Sequence, residues 1–168
     1  YNRCFRMEYK YKQIKNFLDK EDFYRIKSIM FSNEFPWFFN EFQTSGKNDS
    51  FFMGHNFYHS HQKNSVYYDS IIEPILKKLK ANMISEIRAN LLFKTKKHMQ
   101  SDFHLDKTFF CKTAIFYVNT NNGYTLLKDN TKIKAEENKV LIIDSKTYHA
   151  AVTQTDVERR VVINFNYL

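Results

Sequence analysis

The sequence predicts an α+β fold, with helices leading and a β core following. Three observations carry this. From Glu86 onward, short runs rich in β-branched and aromatic residues alternate with Asn, Asp and Gly turn signals. Ahead of Glu86, two apolar stripes recur at helical spacing, one after Asp19 and one after Ser65. The 168 residues, 43% hydrophobic and 17% aromatic, are enough for one domain with a substantial core, and they exclude a disordered chain.

Taken in order, Ile14 to Leu18 predicts a short strand. Asp19 then caps a helix whose apolar face carries Ile26, Ile29 and Met30. Phe35-Pro36-Trp37-Phe38-Phe39 reads as an aromatic core cluster. Thr44 to Ser50 reads as a mobile polar loop, and Phe51 to Tyr58 as a strand. His55, His59 and His61 cluster without a carboxylate or cysteine at matching spacing. They are expected to be exposed or to touch a substrate rather than to bind a second metal. Gln62 to Asn64 reads as a loop. Ser65 caps a helix through Ile71, Ile72, Ile75, Leu76 and Leu79, which Pro74 kinks or restarts. Strands follow at Glu86–Phe93, Lys112–Asn119, Gly123–Leu127, Thr131–Lys134, Val140–Ile143 and Arg160–Leu168, with an Asp129-Asn130 turn between two of them. No internal repeat or linker divides the chain. One domain over 1–168 is expected, with 1–85 as helical support and substrate loops and 86–168 as the β core.

The net charge is +8 and the pI near 9.3. The lysines are dispersed, as in Lys77, Lys78 and Lys80, then Lys94, Lys96 and Lys97, then Lys132 and Lys134. That pattern reads as a solvated surface; a nucleic-acid partner is permitted but ranks lower. Cys4 and Cys111 lack C-x-x-C spacing, which suits reduced thiols in a cytoplasm. No apolar run approaches the length of a membrane span, and no signal-peptide pattern is visible.

One constellation carries chemistry. His104-Leu105-Asp106 is followed, after a long gap, by Tyr148-His149. Two imidazoles and one carboxylate form the facial triad of non-haem Fe(II) oxygenases, which leaves metal positions open for a co-substrate and O2. A His-x-Asp pair alone is weak, since roughly 0.3 are expected by chance at this composition. Its setting strengthens it: strands precede and follow the pair, His149 follows the apolar run Val140–Ile143, and Arg160 opens the last strand. A double-stranded β-helix supplies ligands at strand ends in this way.

The ordered set resembles the 2-oxoglutarate/Fe(II) dioxygenase superfamily, in particular the prolyl-4-hydroxylase-like branch found in marine bacteriophages and their hosts. The resemblance spans nearly the whole chain and rests on four segments. They are Ile14-Lys15-Asn16-Phe17-Leu18 with Phe35-Pro36-Trp37-Phe38, then Arg88-Ala89-Asn90-Leu91, then Phe116-Tyr117-Val118-Asn119 with Gly123-Tyr124-Thr125, and finally Arg160-Val161-Val162-Ile163-Asn164-Phe165. Only Gly123 stands where the family often has two glycines. The resemblance implies a jelly-roll, cupin-like core with the helices on one face. It implies that His104, Asp106 and His149 hold Fe(II), that Arg160 pairs with the distal carboxylate of 2-oxoglutarate, and that Tyr117 reaches the same carboxylate.

Arg159 competes with Arg160, and strand alternation decides between them. Arg160, Val162, Asn164 and Asn166 share one face, whereas Arg159, Val161, Ile163, Phe165 and Tyr167 share the apolar one. Arg160 and Asn164 are therefore expected to face a pocket. Arg88, Asn90, Leu92 and Lys94 likewise share a face, which makes Asn90 and Lys94 pocket candidates. The activity implied is hydroxylation of an unactivated C–H bond, with Fe(II), 2-oxoglutarate and O2 consumed to give succinate and CO2. The substrate would be a prolyl or other amino-acid side chain or a small molecule, in the cytoplasm of a bacterium or a phage-infected cell. Two alternatives stand beside it: a degenerate β-helix protein binding a partner, for example in a virion, and a nucleic-acid oxidative demethylase.

Overall fold

The computed structural model describes residues 11–41 and 51–168. Its strands are β1 (Lys12–Ile14), β2 (Phe38–Asn40), β3 (Phe52–His59), β4 (Gln62–Lys63), β5 (Ile84–Phe93), β6 (Lys112–Tyr117), β7 (Asn121–Leu127), β8 (Lys132–Ala135), β9 (Lys139–Asp144), β10 (His149–Val152) and β11 (Arg159–Tyr167). Helix α1 spans Lys20–Phe31, and a π-helical turn, Tyr68–Ile72, leads into α2 (Glu73–Leu79).

The strands form two antiparallel sheets. The larger runs β1-β9-β6-β11-β5-β3-β2, with β4 paired to β3, and the smaller runs β10-β7-β8. The larger sheet is covered on both faces. Outside it, Ile26 and Met30 of α1, Ile71 and Ile72 of the π turn and Ile75 of α2 pack with Ala89, Phe116, Ile163 and Phe165. Inside, Ile115, Tyr117, Leu141 and Val162 pack with Leu127, Ile133 and Ala135 of the smaller sheet. Strand β11 shows the alternation directly: Val161, Ile163, Phe165 and Tyr167 belong to the helix-covered core, while Arg160, Val162, Asn164 and Asn166 face a cavity between the sheets.

Helix α1 starts as expected, with the Asp19 carboxylate accepting from the Asp22 N–H at 2.9 Å. The second helix does not start at Ser65. The Ser65 carbonyl accepts from Tyr68 N–H at 3.1 Å, its hydroxyl accepts from Tyr67 N–H at 3.1 Å, and α2 begins after the π turn. Pro74 sits in the first turn of α2, where its missing N–H leaves no bond unmade, so it restarts the helix rather than kinking it.

The first strand lies earlier than expected, at Lys12–Ile14 beside β9. Phe17 and Leu18 are held by Asn138 instead: its backbone carbonyl accepts from Phe17 N–H, and its side-chain amide exchanges two 2.8 Å bonds with Leu18. Gln62 and Lys63, expected in a loop, pair back on β3. Ser60 and His61, at φ 52° and 62°, make the left-handed turn that this pairing needs. Residues before 85 thus supply β1 to β4 of the larger sheet as well as the helices. Thr44–Ser50 and Cys4 lie outside the described residues. Among the described residues, no helix is long and apolar enough to cross a membrane.

Candidate metal centre

His104 and Asp106 were expected at the end of a strand. They lie instead in the irregular segment between β5 and β6, where the stretch 98–107 has no β-branched residue. That segment still runs along β10. Ser101 N–H bonds the Ala151 carbonyl at 2.9 Å, and His104 and His149 exchange backbone bonds at 3.0 and 3.1 Å. This exchange sets the two imidazoles side by side, with ring centroids 4.6 Å apart.

Nε2 of His149 lies 3.4 Å from Asp106 Oδ1, and Nε2 of His104 lies 3.6 Å from the same oxygen. One ligand atom from each of the three residues falls within 4.8 Å of the others. The far ring nitrogens are engaged behind the site: His104 Nδ1 meets the Asp102 carbonyl at 3.2 Å and His149 Nδ1 the Thr147 carbonyl at 2.9 Å. A carbonyl only accepts, so each Nδ1 carries a proton, which in the neutral imidazole leaves the lone pair on Nε2.

Burial opposes the charge of Asp106, but hydrogen bonding and charge from His149, with His104 behind it, hold its carboxyl down at about 2. Burial likewise opposes the charged form of His149, and Asp106 overrides it, raising the imidazole above its ordinary value.

The triad borders a cavity of about 360 Å³ between the two sheets, which Arg88, Asn90, Thr125, Arg160 and Asn164 also line. Arg160 is 2% exposed, and among the described residues it has no carboxylate partner. Its Nη2 lies 3.5 Å from Thr125 Oγ1, and burial lowers its pKa. The Tyr117 hydroxyl bonds the same Thr125 oxygen at 2.8 Å, and burial pushes it up to about 12. Among the described residues, Asp106 Oδ2, Arg160 Nε, Asn90 Oδ1 and Asn164 Oδ1 are buried without a hydrogen-bond partner. A buried cation and four orphaned polar atoms in one cavity are costly unless a ligand completes them. Two imidazole nitrogens, one carboxylate and an anion-seeking guanidinium therefore fit a divalent metal with a chelating organic acid.

The structure brings His104, Asp106, His149, Arg160, Asn90 and Asn164 to this one cavity. Tyr117 stands behind Thr125 and is not part of the lining. Lys94 does not reach the cavity; it lies past the end of β5, where it pairs with Glu158 at 3.1 Å. His55 is buried, with its ring nitrogens on the Pro36 carbonyl and the Ser65 hydroxyl. Sequence reasoning missed Thr125 and Arg88. Thr125 alternates with Leu127, which packs in the inner core, so strand periodicity contained its signal too. Arg88 shares a face with Asn90, so the same alternation contained its signal.

No protein-family model matches the sequence, and no curated protein matches it. Solved structures do match. An oxidoreductase of the 2OG-Fe(II) oxygenase family from Burkholderia pseudomallei aligns over 94% of this chain and 84% of its own, with a TM-score of 0.68 at 11% identity. The viral collagen prolyl hydroxylase of Paramecium Bursaria Chlorella virus-1, solved with 2OG, covers 94% and 96%, with a TM-score of 0.61 at 14% identity. A Pseudomonas putida prolyl-4-hydroxylase covers 95% and 93%, with a TM-score of 0.61 at 12% identity. The chain has the double-stranded β-helix fold of the 2OG-Fe(II) oxygenases.

Proposed function

We propose that this protein is an Fe(II)- and 2-oxoglutarate-dependent dioxygenase that hydroxylates an unactivated C–H bond. The observation that carries the reading is the meeting, in one cavity, of the His104, Asp106 and His149 ligand atoms with the buried, unpaired guanidinium of Arg160. His104 Nε2, His149 Nε2 and Asp106 would hold the iron, and the two engaged Nδ1 atoms fix the imidazoles in the ligating tautomer. Arg160 would grip the distal carboxylate of 2-oxoglutarate, with Thr125 beside it and Tyr117 holding Thr125 in place. Asn90 and Asn164 leave amide oxygens unpaired on the cavity wall, where they would accept from a donor group of a bound substrate. The iron with its co-substrate supplies the oxidising power; the protein positions them and excludes water. The substrate is a protein side chain or a small molecule. The buried free thiol of Cys111 supports a cytoplasmic setting.

The test combines metal analysis with 2-oxoglutarate binding and decarboxylation. Asp106→Ala and His149→Ala should each lose most Fe(II) affinity while remaining folded. On Mn(II)-substituted protein, Arg160→Ala should weaken 2-oxoglutarate by about 2–5 kcal/mol, roughly 30- to several-thousand-fold. Arg159 packs on the Phe31 ring at 4.6 Å, away from the cavity, so Arg159→Ala should change that affinity by no more than about 0.5 kcal/mol. Wild-type Fe(II) binding in both ligand variants, or equal small losses in both arginine variants, would refute the assignment.

A further inference from the structure

With iron and 2-oxoglutarate in place as proposed, one charge on the cavity lining is left without a partner. On the reading above, the two charges of Fe(II) and the one of Arg160 are matched by Asp106 and the two carboxylates of 2-oxoglutarate. Glu86 is matched by Lys107, whose Nζ lies 2.5 Å from Glu86 Oε2. Arg88 remains. Among the described residues its guanidinium has no ion pair and no hydrogen bond; it lies over the Phe52 ring, with the guanidinium carbon 5.4 Å from the centroid. Phe52 is 1% exposed, so the ring is a fixed support.

Position separates Arg88 from the Arg160 site. Arg160 pairs across the sheet with Leu92, and Arg88 pairs with Asn164. Leu92 and Arg88 are four positions apart on the strand, roughly 13 Å of backbone, and the Arg160 side chain is turned to Thr125. Arg88 also lines a second, adjoining cavity of about 440 Å³, walled by Phe38, Asn40, Asn56, Asn64 and Tyr67. A guanidinium at the junction of a metal cavity and an amide- and aromatic-walled pocket is placed to hold one end of a molecule that extends into that pocket.

We propose that Arg88 anchors the primary substrate, and that this substrate is a small organic acid bearing a carboxylate or phosphate group. The anion would sit on the Arg88 fork, and the body of the molecule between Phe38 and Tyr67. This inference rests on the dioxygenase reading.

The test uses protein loaded with Mn(II) and 2-oxoglutarate under anaerobic conditions, with binding followed by calorimetry. One arm compares N-acetyl-L-amino acids with their primary amides. The other compares ribose 5-phosphate with ribose. At least one acid should bind about tenfold or more tighter than its neutral partner. That preference should fall to within about twofold in Arg88→Gln and survive in part in Arg88→Lys, because only the lysine keeps the charge. The arm that shows the preference identifies the anion. Absence of binding by any acid, equal binding of the neutral partners, or a preference that persists in Arg88→Gln would overturn the proposal. Failure of the wild type to take up Mn(II) or 2-oxoglutarate appears before any probe is added, and it would overturn the dioxygenase reading together with this one.

Discussion

Asp106 and His149 hold each other's charge, and that coupling makes the site sensitive to pH. The folded Asp106 carboxyl is depressed from 3.8 to about 2, so its contribution to stability is present above its ordinary value and lost as pH falls through about 2. His149 is raised above 6.5, so its contribution is full below 6.5 and lost as pH rises through the folded value. The metal-free protein should therefore melt lower at about pH 8.5 than at about pH 6. A divalent metal needs the imidazoles neutral, so saturating Mn(II) should raise the Tm more at the higher pH. Calorimetric scans of both forms check this, with His149→Gln as the control that should lack the alkaline loss. A metal-induced shift that is larger at low pH would contradict the assignment of these groups as ligands. The clustering of His104, Asp106 and His149 was legible in the chain because His-x-Asp and a distant His stand out by residue type. Arg88 was less so, because a lone arginine on a strand has no charge pattern of its own until its neighbours are known.

At the scale of the element, alternation along β11 was fully legible, since a regular strand keeps its two faces apart without help from its partners. In β7 the start of the strand was less legible, because two extra residues bulge between Asn121 and Tyr124 before regular pairing with β8 resumes. His104 lies outside the regular strands, yet an antiparallel bridge to His149 sets it beside β10, so backbone pairing takes the place there of strand-forming side chains. Gly123 sits in the irregular part of β7 for a steric reason. A Cβ there would lie 2.8 Å from the Val152 carbonyl oxygen, 2.9 Å from Asn121 Oδ1 and 3.0 Å from Arg160 Cδ. The backbone oxygen cannot move aside cheaply, so Gly123→Ala should cost about 1–3 kcal/mol. That corresponds to a fall in Tm of about 2–4 °C per kcal/mol. It should also weaken 2-oxoglutarate on Mn(II)-loaded protein, because the displaced Arg160 would carry the carboxylate grip. An unchanged Tm would show that β7 absorbs the methyl. A lower Tm with unchanged 2-oxoglutarate affinity would separate Gly123 from the arginine.

For the whole molecule, the α+β layout was legible because helical and strand periodicities differ and fall in separate parts of the chain. The strand pairings were not, since nothing local dictates that β9 lies between β1 and β6, or that β10 joins β7. The resulting architecture divides labour across one sheet. Its outer face holds the helices and most of the apolar core, and its inner face holds the cavity. Stability and ligand binding should therefore respond to different substitutions. Ile26 of α1 is fully buried on the outer face, far in the fold from the triad. Ile26→Ala removes buried methyl groups and leaves a void, which costs about 2–5 kcal/mol. Chemical denaturation should register that loss as a lower midpoint. Below the unfolding transition, Mn(II) affinity should stay within about twofold of wild type, because no ligand side chain rests on α1. Asp106→Ala should instead abolish metal affinity in protein that still folds, even though its midpoint also falls because His149 loses its buried partner. If Ile26→Ala lowers metal affinity in still-folded protein as steeply as it lowers stability, the sheet transmits packing strain to its inner face and the two functions are coupled.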